Sequence, residues 1–213
     1  MSEHGHGHDV PADTASAQGT DTAAAWDARY RDARSAGGTI WSRSPNAWVE
    51  ATLADLPPGR ALDLGAGEGR NALWLAARGW RVTAVDYAEQ GVATGRSRAE
   101  SEGLELEWVV ADLREWRTDA RFDLVLLSFV HIGAEALATV VRAAPLAPGG
   151  TLAIIGHDRT NTVGGPPDRT ILLDPDELTD AAAALEIVTV GRVERPTPEG
   201  VALDTVLVAR APA

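Results

Sequence analysis

The chain has 213 residues, 45% of them hydrophobic, which is enough for one domain built around one sizeable core. Its 31 acidic residues against 19 basic ones give a formal charge of −12, a surface that repels phosphate backbones and argues against DNA or RNA as substrate. The absence of cysteine excludes a disulfide framework, a thiol nucleophile and thiolate metal sites, and no membrane-length apolar run or signal-peptide pattern is present, so a cytoplasmic monomer or homodimer away from membranes is expected.

Residues 1–20 hold almost nothing apolar and are expected to be a disordered tail. Within it His4, His6 and His8 alternate with Gly5 and Gly7, and three imidazoles on a flexible tether can chelate Ni²⁺, Cu²⁺ or Zn²⁺. The plainer alternative is a polar tail, and nothing else in the chain points to a metal. From Asp21 the spacing of Trp26, Tyr30 and Ala33 predicts a helix, stopped at Gly37-Gly38. A second helix is predicted with Ser44 as N-cap and Pro45 in its first turn, carrying Trp48, Val49, Leu53 and Leu56 inward and ending at Pro57-Pro58-Gly59. Residues 21–58 thus form a helical cap on a core spanning 59–213.

That core opens on Ala61-Leu62-Asp63-Leu64-Gly65-Ala66-Gly67-Glu68-Gly69-Arg70-Asn71, a short apolar run, an acid and a glycine-rich turn leading into a helical pattern. Strand, tight turn and helix start aim unpaired backbone N–H groups at a ligand. Trp80–Asp86 reads as the second strand, and Asp86 lies 21 residues after Gly65, the spacing at which a carboxylate reaches a ribose hydroxyl. A helix over Glu89–Glu102 is predicted despite Gly91 and Gly95, each weakening it by about 1 kcal/mol relative to alanine. A third strand is predicted over Leu104–Val110, followed by Asp112-Leu113. Phe122–Ser128 has the near-continuous apolar character of a strand buried on both faces. A helix over Ala134–Leu146, a turn at Pro148-Gly149-Gly150 and a fifth strand over Thr151–Gly156 follow. The stretch from His157 to Leu173 reads as a long Gly/Pro-rich loop of the length usually reserved for function. Asp174-Pro175-Asp176-Glu177 starts a helix, and two β-rich segments, 185–194 and 201–210, close the chain as a hairpin. The expected fold is a single-domain, Rossmann-like open α/β sheet, mostly parallel with one antiparallel C-terminal strand and helices on both faces.

The glycine turn decides between nucleosides. A dinucleotide fingerprint wants Gly or Ala where Arg70 stands, and a pyrophosphate needs close backbone approach there. The run Asp63-x-Gly65-x-Gly67-x-Gly69 instead resembles the first motif of class I S-adenosylmethionine-dependent methyltransferases. Trp26-Asp27-x-Arg29-Tyr30, Trp41, Pro45-Asn46 and the glycine turn together resemble the small tellurite-resistance and thiopurine methyltransferase-like group. The resemblance covers the chain from Asp21 onward. It implies S-adenosyl-L-methionine as methyl donor, S-adenosyl-L-homocysteine as product and a small-molecule acceptor, with a soft thiol or chalcogen nucleophile as one expected class. It further implies that Asp63, Gly65, Ala66, Gly67 and Gly69, with Arg70, cradle the methionine moiety. Asp86 with Tyr87 would bind the ribose, Asp112 with Leu113 the adenine, and Ser128 and Trp41 complete the expected cofactor contacts. Asp112 reads equally as a helix N-cap.

After the fourth strand the chain runs Ser128-Phe129-Val130-His131, not the Asn/Asp-Pro-Pro-Tyr of amide and adenine methyltransferases. His131, and His157 beside Asp158 at the end of the fifth strand, are the candidate catalytic bases, since a neutral imidazole accepts a proton at physiological pH. Three other readings stay open: an NAD-dependent oxidoreductase, poorly served by two tyrosines and no lysine; a nonenzymatic S-adenosylmethionine-binding module; and a metal-handling protein using the tail.

Overall fold

The structure, a computed structural model, describes residues 22–213, so the predicted tail with His4, His6 and His8 lies outside the described residues. Two helices come first, α1 (Ala23–Ser35) and α2 (Ala47–Leu53). Then β1 (Arg60–Leu64), α3 (Arg70–Ala77), β2 (Arg81–Asp86), α4 (Glu89–Glu102) and β3 (Glu107–Val110) alternate, followed by β4 (Phe122–Ser128), α5 (Ala134–Arg142), β5 (Leu146–His157), α6 (Pro175–Ala181), β6 (Glu186–Thr197) and β7 (Gly200–Arg210). The strands form one seven-stranded sheet in the order β3-β2-β1-β4-β5-β7-β6. β1 to β5 pair in parallel, and β7 runs antiparallel between β5 and β6. This is the expected doubly wound sheet with one antiparallel strand.

Both faces are covered because alternate strand residues bury against different helices. Leu62, Leu64, Val125, Leu127 and Ile154 pack with Leu137 and Val141 of α5 and Leu178 of α6. Ala61, Leu124, Leu126, Ala153 and Ile155 pack on the other side with Val49 and Leu53 of α2 and Leu75 of α3. Each fully buried Leu or Ile contributes about 1.5–3 kcal/mol relative to an exposed one. That double burial is why the central strands read as continuous apolar runs.

Several local expectations are corrected. Asn46, not Ser44, caps α2: its side-chain oxygen accepts from the N–H groups of Trp48 and Val49, while its own N–H donates to Asn71 Oδ1. Pro45 therefore precedes the helix. α5 stops at Arg142, and the Pro148-Gly150 segment lies inside β5, with an irregularity opposite Phe122 and Leu124 in place of a free turn. β3 begins at Glu107, not Leu104. Gly91 and Gly95 are not idle weaknesses in α4. A β-carbon at Gly91 would lie 2.9 Å from the Tyr30 ring, and one at Gly95 would lie 2.3 Å from the Trp108 ring. The helix surrenders propensity so that two aromatic rings can seat against its backbone.

Candidate functional site

The strand order fixes where a ligand can lie. From β1 the chain winds outward through β2 and β3, then returns to place β4 on β1's other side, with Leu64 paired to Leu127. Neighbouring connections diverge there and leave a crevice at the carboxyl ends of the strands. The glycine turn occupies it. The N–H groups of Gly65 and Ala66 both donate to Val85 O, at 2.8 and 3.1 Å, tying the turn to β2. Gly65, Gly67 and Gly69 have φ of 77°, 54° and 76°, left-handed conformations that suit glycine. Contact is close as well: a β-carbon on Gly65 would lie 2.4 Å from Val130 Cγ2, and one on Gly67 would lie 2.6 Å from Tyr30 Oη. Leu113 borders the same glycine: the β-carbon on Gly65 would lie 3.7 Å from Leu113 Cδ2.

Beneath the turn sits Asp63, 1% exposed, and neither carboxylate oxygen is in a hydrogen bond of ordinary length and angle. Burial first, and the nearby Asp86 carboxylate second, push its pKa up to about 7, against smaller opposing pulls from Arg70 and from the Ala72 backbone N–H. Asp86 ends β2 as predicted, but its oxygens accept from Gly67 N and Ala88 N at 2.8 Å each, so here the side chain braces the glycine turn. Asp112 is held by Arg114: the guanidinium binds both oxygens and the Arg114 N–H donates to Oδ1. Asp112 also accepts at its carbonyl from Glu115 and Trp116, which makes a turn there and not the start of a helix. Tyr87 is half-buried next to Asp86, and Ser128 ends β4 with its hydroxyl buried and unpartnered.

The helical cap is fastened to this turn by contacts the sequence did not announce. Glu68, 1% exposed, accepts the N–H groups of Ile40 (3.0 Å) and Trp41 (3.2 Å). Trp41 in turn meets Trp26 in a tilted contact at 6.2 Å and donates from its indole to Tyr30 Oη, while Arg70 lies over its ring at 5.4 Å. Asp27 of α1 accepts the N–H of Gln90 in the first turn of α4 at 2.8 Å, so the cap supplies the carboxylate that α4 lacks at its own N-cap. Asp27→Ala should therefore lower unfolding stability by about 0.5–2 kcal/mol, the usual cost of a lost cap, as read by denaturant titration.

Beside the turn lies a second opening of about 160 Å³, walled by Trp41, Arg70, Phe129, His157 and Arg195, with Ser42 and residues 45–47 at its rim. His157 and Asp204 are register partners on β5 and β7, and His157 Nδ1 lies 3.3 Å from Asp204 Oδ1. Asp204 is fully buried and clamped by Arg195 Nε at 2.6 Å and Nη2 at 3.3 Å. Burial raises the Asp204 carboxyl, but the bonds from His157 and Arg195 outweigh it and hold it below the ordinary aspartate range. Asn161 Nδ2 also lies 3.4 Å from His157 Nδ1, but it donates to the carbonyls of Val163 and Gly164, so Nδ1–H faces Asp204 and Nε2 is the nitrogen that His157 can offer a pocket ligand. His131 stacks on His157 at 5.3 Å, and its Nε2 accepts the His157 backbone N–H at 3.1 Å. Burial, then the neighbouring His157 imidazole, pull the His131 pKa down to about 3.

Phe129 joins these parts. It is the sole non-glycine with positive φ (58°) among the described residues, a conformation uncommon for a bulky residue. Its ring lies 5.0 Å from His157, 5.7 Å from the Arg70 guanidinium and 5.3 Å from that of Arg195. The loop after His157 is anchored at both ends. Asp158 is fully buried, accepts from Thr205 and Arg192, and bridges to Leu173, while Asn161 is 1% exposed. Asp204, Arg195, Phe129 and Glu68 are the site residues that sequence reasoning missed. His157-Asp158 was legible as a feature, but Asp158 faces β6 and β7, and the histidine's partner is Asp204.

Residues 61–150 match a family model described as a methyltransferase domain. An 89-residue stretch is 27% identical to the probable S-adenosyl-L-methionine-dependent methyltransferase TehB of Haemophilus influenzae, covering 41% of this chain and 31% of that protein. The matched stretch thus spans about a third of that curated relative. The crystal structure of TehB from Haemophilus influenzae superposes with a TM-score of 0.69 at 21% identity, covering 78% of this chain and 62% of that one. A Burkholderia thailandensis 1,6-didemethyltoxoflavin-N1-methyltransferase, crystallised with 1,6-didemethyltoxoflavin and S-adenosylhomocysteine, superposes with a TM-score of 0.67 at 26% identity, covering 90% and 87%. Among the described residues no helix is long and apolar enough to cross a membrane.

Proposed function

We propose, on the premise that residues 61–150 make this chain a class I S-adenosylmethionine-dependent methyltransferase domain, that it methylates a small-molecule acceptor bound beside His157. The observation that carries this reading is Asp63, a buried carboxylate beneath a glycine turn with neither oxygen in a hydrogen bond of ordinary length and angle. A negative charge there opposes a pyrophosphate and favours a cationic ligand. The residues present fit S-adenosylmethionine: Asp63 would hold its amino group, the Gly65–Gly69 turn would lie against the methionine chain, and Asp86, Tyr87 and Leu113 would flank the nucleoside. When bound, it supplies an electrophilic methyl group.

The chain's own residues do the rest. Trp41, Phe129 and the cap narrow the opening and exclude water, so that acceptor and methyl donor are held in line. His157 takes a proton from the acceptor at Nε2, and Asp204 fixes the tautomer and stabilises the imidazolium that results. Its carboxylate is kept ionised for this by Arg195. His131, neutral and with Nε2 already accepting a backbone N–H, serves to position the His157 ring. The Burkholderia thailandensis neighbour, crystallised with 1,6-didemethyltoxoflavin, supports a small acceptor; a thiol or chalcogen nucleophile remains one class to be tried.

The test is turnover against a panel of thiols, phenols, organic acids and N-heterocycles, read as S-adenosylhomocysteine formed. His131→Ala is expected to lose less turnover than His157→Ala with the same acceptor. An equal or larger loss for His131→Ala would reverse the two roles.

A further inference from the structure

The sign of the acceptor's charge can be read from the same pocket. Its walls carry two guanidiniums, Arg70 and Arg195, and no acid. Asp204, the carboxylate that Arg195 holds, is fully buried behind His157, and Asp63 and Glu68, on which Arg70 pulls, are each 1% exposed, whereas the Arg195 side chain is 29% exposed. A ligand in the opening therefore meets the cation and not its counter-ion. Arg195 uses Nε and Nη2 on Asp204, which leaves Nη1 for the pocket. Both guanidiniums also lie over the Phe129 ring, at 5.7 and 5.3 Å, and Arg70 lies over Trp41 as well. Cation–π contact fixes where each charge sits, and Phe129 holds its place through a backbone conformation that a bulky residue rarely adopts. Such an arrangement is conspicuous in a chain of net charge −12, whose overall field favours cations.

We infer that the acceptor is a small planar organic anion, its carboxylate or equivalent oxyanion held between Arg70 and Arg195 and its ring against Phe129 and Trp41, with the atom to be methylated turned toward His157. This rests on the methyl-transfer reading above and adds the substrate class to it. The opening of about 160 Å³ suits a single-ring acid and not a peptide or nucleotide chain. Planar guanidiniums match a carboxylate's two oxygens, and arginine binds such groups in the paired fashion that lysine cannot. The chain's basic residues are all arginine.

The test uses the full chain. S-adenosylhomocysteine is titrated first by calorimetry, and the saturated protein is then titrated with benzoate and with its neutral isostere benzamide. Benzoate is expected to bind about tenfold or more tightly than benzamide, the discrimination a charge-assisted hydrogen bond provides. Arg195→Gln should erase that preference and leave S-adenosylhomocysteine affinity within about twofold of wild type, a change of roughly 0.4 kcal/mol. Arg192→Gln, on the same strand as Arg195 but bonded to Asp158, should keep the preference. Equal binding of the two probes, tighter benzamide, or no binding of either overturns the inference. So does a loss of S-adenosylhomocysteine affinity in Arg195→Gln that equals its loss of benzoate, which would assign Arg195 to the cofactor's own carboxylate. Failure of S-adenosylhomocysteine to bind in the first titration would instead fall on the methyl-transfer reading.

Discussion

Replacing His157 by glutamine is expected to lower turnover by about 10²–10⁴-fold, the range for loss of a general base, while S-adenosylhomocysteine affinity stays close to wild type. The reason lies in how the imidazole is held. Its Nδ1 meets Asp204 across the β5–β7 register, Asp204 is clamped by Arg195, and the ring is fixed between His131 and Phe129. Glutamine can still donate to Asp204 but has no nitrogen able to take a proton at the pocket side. Asp204→Asn should produce a loss of similar kind, since a carboxamide presents an N–H where His157 Nδ1–H needs an acceptor and so favours the wrong tautomer. The check is single-turnover methyl transfer with the best acceptor of the panel. Rates near wild type in both variants would remove the dyad from the chemistry and leave placement alone.

Asp63→Asn should separate stability from binding. The Asp63 carboxyl titrates near 7 in the folded chain against 3.8 as a free side chain, so the folded state binds this proton more tightly than the unfolded state does. Its contribution therefore makes the unliganded protein lose stability as pH rises from about 4 to about 7, and the loss is complete above that. The penalty is on the order of a few kcal/mol for a fully buried group. The asparagine variant lacks it. In the absence of ligand it should melt higher than wild type at pH 8 and close to wild type at pH 4, while its S-adenosylhomocysteine affinity falls by about tenfold or more, the worth of a hydrogen bond to a charged group. A variant that melts lower at pH 8 would mean that Asp63 has a stabilising partner within the protein. An unchanged affinity would mean that it does not face the cofactor.

What the sequence made legible was local. Asp63, the three glycines and Arg70 lie within one strand–turn–helix unit, and Asp86 sits at a spacing set by a single βαβ crossover, so short-range pattern suffices for them. The acid-capped α6 and the continuous apolar β4 were readable for the same reason. What was not legible depends on pairing between distant segments. Asp204 meets His157 only because β7 inserts between β5 and β6, an order that no periodicity encodes. Glu68 looked like a turn residue until the segment 40–41 folded back onto it. Gly91 and Gly95 appeared as helix weaknesses because the rings they admit, Tyr30 and Trp108, come from α1 and β3. Ser44 was a sound cap on propensity, yet Asn46 took the place because Asn71 of α3 anchors its backbone.

On the proposed function, the crevice between β1 and β4 takes a cationic methyl donor and not a dinucleotide. Calorimetric titration of the full chain with S-adenosylhomocysteine and with NAD tests it most directly. Saturable one-to-one binding of S-adenosylhomocysteine that Asp63→Asn weakens is expected, with no measurable binding of NAD. Tighter binding of NAD than of S-adenosylhomocysteine would contradict it.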